Sequence, residues 1–129
     1  MSISFEISAH IPANAKTLYS AWLDSSKHSA MTGALAEVSA KVNEAFTAWD
    51  GYISGSNILL EPEKRIVQAW RTIEFSESEP DSRLEIIFET DEEGTKVIIR
   101  HSNLPLHGMQ YEQGWVDNYF DPMKIYFKS

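Results

Sequence analysis

The sequence contains no cysteine. That excludes a disulfide framework, a thiolate metal site and a cysteine nucleophile, and it suits a reducing compartment. No apolar run approaches the roughly 20 residues that a membrane-spanning helix needs. The first residues, Met1-Ser2-Ile3-Ser4-Phe5-Glu6, show neither the basic end nor the apolar stretch of a secretory signal. The expected location is the cytoplasm. Basic residues are scarce too, with 11 Lys and Arg against 19 Asp and Glu, for a formal net charge of −8. Gripping a phosphate backbone takes clustered cations, so nucleic acid is not an expected partner, and neither is a membrane.

The motifs of common catalytic sites are missing as well. There is no Gly-x-Ser-x-Gly turn to hold a nucleophilic serine and no Gly-rich phosphate loop. His101 and His107 lack a third ligand at credible spacing, so no metal and no other cofactor is expected. Paired carboxylates occur only in acid-rich turns, where no burial would tune them for proton transfer. The expectation is a protein that binds rather than catalyses.

What is present describes one ordinary domain spanning residues 1–129. At 43% hydrophobic and 23% charged residues the chain can bury a core of normal size. Residues 3–11 alternate, with Ile3, Phe5 and Ile7 on one side and Ser4, Glu6 and Ser8 on the other, the period of a half-buried strand. After Pro12 a helix follows, with Asn14 as N-cap and Ala15, Leu18, Tyr19 and Trp22 on its apolar face. The run Asp24-Ser25-Ser26-Lys27-His28 breaks it and starts a second short helix, which Gly33 stops.

From Leu35 the period shifts to two, and strands are expected near 35–40, 43–48, 52–61, 64–74, 83–91 and 95–103. Asp50-Gly51 marks a hairpin, and Gly55 reads as a point of close backbone approach. Nine acids lie between positions 74 and 93, opposed within that stretch only by Arg83. They read as a solvated, solubilising hairpin or as a patch facing a basic partner.

The last segment returns to helical spacing. Met109, Trp115, Val116, Tyr119, Phe120, Met123 and Phe127 form an apolar stripe about five turns long. Pro122 interrupts it and predicts a kink, or a restart capped by Asp121. The fold class is therefore α+β. A curved antiparallel sheet of about six or seven strands wraps around the long C-terminal helix, and two short helices follow the first strand.

Large aromatics are the candidate binding residues. Trp22, Phe46, Trp49 and Trp70 precede Phe88, Trp115 and Tyr119, and together they either line an apolar pocket between sheet and helix or pack the core. His101 falls on the inward phase of its strand with Val97 and Ile99, where a hydrogen-bonded core or rim histidine is the expectation. Side chains this large predict a small or divided cavity that admits at most a compact apolar molecule.

Several of these segments carry a resemblance. Leu18-Tyr19-Ser20-Ala21-Trp22 with Asp24, then Met31-Thr32-Gly33-Ala34, precede Phe46-Thr47-Ala48-Trp49-Asp50-Gly51-Tyr52-Ile53-Ser54-Gly55. Pro62 to Arg71, Gly94-Thr95, Gly114-Trp115 and Tyr119-Phe120 complete the set. In order and spacing, residues 5–127 resemble the C-terminal domain of the activator of heat shock protein 90 ATPase, a member of the START-like superfamily (SRPBCC, birch-pollen-allergen-like). The resemblance implies a helix-grip fold and a chaperone-associated, co-chaperone-like adaptor that binds a protein partner; the alternative is a carrier or sensor of a small apolar ligand in the grip cavity. The family pattern has paired glycines before the phenylalanine, where this chain has Asn43-Glu44-Ala45 ahead of Phe46. Asparagine tolerates the left-handed backbone such a turn needs. Full-length activators also carry a separate N-terminal docking domain. Little chaperone stimulation is expected from this domain alone.

Overall fold

The computed structural model describes residues 2–128. The chain runs β1 (Ile3–Ile11), α1 (Ala15–Trp22), α2 (Ser25–Thr32), β2 (Ala45–Ala48), β3 (Ile53–Glu61), β4 (Arg65–Thr72), β5 (Ser82–Asp91) and β6 (Gly94–Leu104). A 3₁₀ turn at Leu106–Met109 leads into α3 (Gln110–Trp115), a π-helical segment at Val116–Phe120 and α4 (Asp121–Tyr126). Among the described residues six strands form one antiparallel sheet in the order β1-β6-β5-β4-β3-β2, curved around the C-terminal helix in the helix-grip arrangement. Among the described residues no helix is long and apolar enough to cross a membrane.

Local signals place the first helices. Asn14 caps α1, its side-chain oxygen accepting the Thr17 N–H at 2.8 Å, and Asp24 caps α2 in the same way through Lys27. Gly33 ends α2 in the left-handed conformation, φ 84°. On the sheet's concave face, Ile66 and Trp70 of β4 lie beside Leu84, Ile86 and Phe88 of β5 and Val97, Ile99 and His101 of β6, all buried. Gly55 is obligatory there. A Cβ at that position would sit 1.8 Å from the Ala69 carbonyl oxygen on β4.

The expected strand at 35–40 is not formed. That segment makes a single bridge, Glu37 to Thr47; the Leu35 carbonyl accepts the Asp50 N–H, and side chains take several of the remaining backbone groups. Ser29 and Ser25 of α2 accept the N–H groups of Ala36 and Val38 at 2.9 Å each. Buried Asn57 donates to the carbonyls of Ser39 and Lys41, and Gln68 holds Asn57 in turn. Alternating sequence supplied the period of a strand, but hydroxyls and an amide took the hydrogen bonds that a neighbouring strand would need. Asn43 adopts φ 70°, as its left-handed tolerance predicts, and β2 begins only at Ala45. The fourth expected strand, 64–74, ends at Thr72, and Ile73 turns outward to 75% exposure.

Pro122 neither breaks the C-terminal helix nor calls on Asp121 as a side-chain cap. The preceding turn widens into π geometry instead, with the Asp121 N–H bonded to the Val116 carbonyl five residues back. The wider turn accommodates the proline ring while Trp115, Val116, Phe120 and Asp121 keep helical torsions. Met109, expected on the apolar stripe, is exposed in the 3₁₀ turn, and Tyr111 takes a buried place on it.

Candidate functional site

A cleft of about 180 Å³ opens between the β2–β3 hairpin and the start of the C-terminal helix. The hairpin contributes Trp49, Tyr52 and Ile53, and β4 contributes Trp70. Tyr111, Gly114 and Trp115 come from α3, with Asn118 and Tyr119 from the π-helical segment. Six of these side chains are aromatic, and none of the described lining residues carries a charge. Trp70 lies 5.0 Å from Tyr111 and 5.6 Å from Trp115 between ring centroids, and Trp115 lies 4.8 Å from Tyr119. These contacts are in the range at which aromatic pairs stabilise one another, so the wall is pre-formed.

The polar ends of that wall are mostly committed to the protein. Trp115 Nε1 donates to His101 Nδ1 at 3.1 Å. An indole N–H can only donate, so His101 Nδ1 is the acceptor and its proton resides on Nε2. Nε2 then donates to Ser82 Oγ at 2.8 Å, and Ser82 donates onward to the Trp70 carbonyl. Burial pushes the His101 imidazole down to about 3, so it is neutral at ordinary pH. A histidine that activates a serine must accept the hydroxyl proton; here the chain runs the other way.

A second buried histidine serves the same wall from behind. His28 Nδ1 donates to the Trp22 carbonyl at 2.8 Å, at the end of α1 where helix carbonyls lack intrahelical partners. Its Nε2 accepts from the Tyr119 hydroxyl at 2.9 Å. Burial lowers the His28 pKa, with the Trp22 carbonyl opposing that shift, and burial raises that of Tyr119. Of the other two lining tyrosines, Tyr111 shares a 2.6 Å hydrogen bond with Thr72 and Tyr52 donates to Glu74.

One lining group stands apart. Trp49 Nε1 is buried and has no hydrogen-bond partner among the described residues. Its backbone is unusual too, at φ 52°, followed by Asp50 at 58° and Gly51 at 90°. The Asp50 carboxylate holds this turn by accepting the Leu35 N–H.

The family model described as "Activator of Hsp90 ATPase homolog 1-like protein" matches residues 12–128. The chain belongs to this family. No curated protein gives a significant match. Among solved structures, an HSP90 activator from Plasmodium falciparum is similar at 25% identity and TM-score 0.85, over 95% of this chain and 94% of that one. CalU16 from Micromonospora echinospora shares 20% identity with a TM-score of 0.81, over 98% of this chain and 77% of that one. A protein from Chromobacterium violaceum shares 19% with a TM-score of 0.77, over 98% and 97% of the two chains. The last two likenesses show the fold alone.

In this member of the activator family the cleft gathers four of the eight candidate residues: Trp49, Trp70, Trp115 and Tyr119. Trp22 backs the wall, stacked on Tyr119 at 4.8 Å. His101 anchors Trp115 from within the core. Phe46 is buried near Gly55, and Phe88 packs on Tyr19 at 6.1 Å; neither lines the cleft. Tyr52, Ile53, Tyr111, Gly114 and Asn118 line it without having been candidates. Tyr111 carried a usable signal, since it precedes Trp115 by one helical turn.

The acidic run is less bare than its sequence implies. Glu85 is flanked by Arg65 at 3.0 Å and Arg83 at 2.8 Å; burial opposes its ionisation, but the two guanidiniums outweigh it and lower its pKa. Asp81 meets Arg71, Glu79 meets His107 and Asp91 meets His10. Of these partners only Arg83 lies within the 74–93 stretch; Arg65 and Arg71 come from β4, His10 from β1 and His107 from the 3₁₀ turn.

Proposed function

We propose that this domain is a non-catalytic binding protein whose aromatic cleft holds a compact, apolar small molecule. The observation that carries the reading is the cleft itself, a pre-formed apolar recess walled by Trp49, Trp70, Trp115 and their tyrosine neighbours. At about 180 Å³ it is near the size of a cavity of roughly 150 Å³ that takes up benzene, so one ring or two fused rings fit and a lipid chain does not. The spent hydrogen bonds of His101 and Ser82 support binding without chemistry. A cytoplasmic setting, which a cysteine-free sequence suits, and indifference to nucleic acid, supported by the net charge of −8, belong to the same proposal. The test is a thermal-denaturation panel of small aromatics, sterols and fatty acids. A ligand at one hundred times its Kd adds about 2.7 kcal/mol to stability. A raised Tm with small aromatics supports the reading; stabilisation by long-chain lipids, or no shift across the panel, counts against it.

A second reading is favoured by the 25% identity to the Plasmodium falciparum HSP90 activator, whose chain is matched over 94% of its length. In that reading the domain is a co-chaperone-like adaptor. Its test is the ATPase rate of the chaperone from the same organism with and without this chain. Stimulation that disappears when Glu89 and Glu92 are changed to Lys supports it, and an unchanged rate with the wild-type chain rejects it.

A further inference from the structure

Resting on the cleft reading, we infer that the ligand is an uncharged planar ring system bearing a hydrogen-bond acceptor, and that this acceptor is bound by Trp49 Nε1. The inference starts from an accounting of polar groups around the cleft. Trp115 donates to His101, Tyr119 to His28 and Tyr52 to Glu74, Tyr111 is engaged with Thr72, and the exposed Asn118 amide is open to water. Trp49 Nε1 alone is a buried side-chain polar atom without a partner among the described residues. A buried donor left unmade costs on the order of 1–3 kcal/mol, and such groups in native proteins generally have a partner.

The backbone at the same residue gives a second, independent observation. A tryptophan at φ 52° is a steric outlier, because a bulky side chain in the left-handed region crowds the following carbonyl. The conformation is held in place by Asp50, which exchanges hydrogen bonds with Leu35 through its carboxylate and its N–H. Retained strain of this kind concentrates where a side chain must be presented to a ligand. The strain and the missing partner fall on one residue, and that residue lines the cleft.

Charge selects the rest. No described lining side chain is cationic, and the hydroxyl of lining Tyr52 already donates to the Glu74 carboxylate. An anionic ligand would enter an apolar recess with no counter-charge and with a carboxylate bonded to one of its lining tyrosines, so desolvation disfavours it. Aromatic walls favour a flat partner, and an indole N–H favours a carbonyl or ring-nitrogen acceptor.

Calorimetric titration with three probes of similar size separates these requirements: naphthalene, coumarin (a neutral carbonyl acceptor) and 2-naphthoate. Coumarin is expected to bind the wild-type chain about fivefold more tightly than naphthalene, the size of one net hydrogen bond, and 2-naphthoate more weakly than either. The variant Trp49→Phe keeps a ring and loses the N–H, so the coumarin preference should vanish while naphthalene still binds; its Tm confirms that it is folded. Equal binding of naphthalene and coumarin by the wild-type chain overturns the acceptor assignment and leaves the cleft reading standing. So does a preference that survives Trp49→Phe. Tighter binding of 2-naphthoate overturns the charge argument. Failure of all three to bind rejects the cleft reading together with the inference built on it.

Discussion

Trp115 and His101 are joined through Nε1 and Nδ1 across the interface between the C-terminal helix and β6, both side chains buried. One hydrogen bond fixes three things: the rotation of an indole that walls the cleft, the tautomer of the histidine, and the docking of helix on sheet.

The histidine's neutrality has a measurable consequence. His101 is depressed to about 3 in the folded chain and returns to near 6.5 when unfolded, and His28 is shifted in the same direction. Above pH 6.5 both states are neutral and the full stability is present. As pH falls below 6.5 the unfolded chain takes up protons that the folded chain refuses, so stability is lost, by up to about 1.4 kcal/mol per pH unit for each such group. Urea unfolding at pH 7 and pH 5 should show a loss of about 2 kcal/mol or more. A stability flat across that interval would mean that the histidines are reached by solvent.

Two substitutions at Trp115 separate its packing from its hydrogen bond. Trp115→Ala should cost about 3–5 kcal/mol, the range for truncating a buried large aromatic. Trp115→Phe keeps most of the packing but leaves His101 Nδ1 without its donor, which adds on the order of 1–3 kcal/mol. Chemical denaturation measures both. A loss below about 1 kcal/mol for the alanine variant would place Trp115 outside the core.

Two glycines should respond in opposite directions. Gly55→Ala would drive a Cβ to 1.8 Å from the Ala69 carbonyl oxygen, so β3 and β4 must separate. A loss above about 4 kcal/mol, or failure to fold, is expected. Gly114 lies within α3, and a Cβ there meets only the Asn118 side-chain nitrogen at 3.9 Å. Gly114→Ala should therefore stabilise the chain by about 0.5–1 kcal/mol through helix propensity. Paired Tm measurements check both signs, and destabilisation by Gly114→Ala would show that the helix is not as open on that side as the geometry requires.

Much of the fold was legible because its signals are local. Asn14, Asp24 and Gly33 delimit helices with their own side chains or torsions, and Asp50-Gly51 and Gly55 mark a turn and a close contact. The failures arise where distant residues decide. The segment 35–40 has a strand's alternation, but Ser25, Ser29 and Asn57 claim its backbone. Pro122 announces a disturbance, yet whether the helix breaks or widens depends on the packing of Tyr119, Phe120 and Met123 against the rest of the core. Of the site, the tryptophans could be read from size and phase. The roles of Tyr52 and Asn118 could not, since each becomes a lining residue only when the hairpin and the helix meet. The cross-strand ion pairs of Glu85 and Asp91 were hidden for the same reason.

The central claim is that the cleft beside Gly114 is where a small molecule binds, and Gly114→Leu tests it most directly. Leucine at this position has room for its Cβ and projects the rest of its side chain from a cleft-lining position of α3. The measurement is calorimetric titration of wild-type chain and variant with the panel compound that raises Tm most. The expected result is saturable one-to-one binding by the wild-type chain and at least a tenfold loss of affinity in a variant that still melts cooperatively. Equal affinity in the two proteins would contradict the claim and place the ligand elsewhere on the molecule.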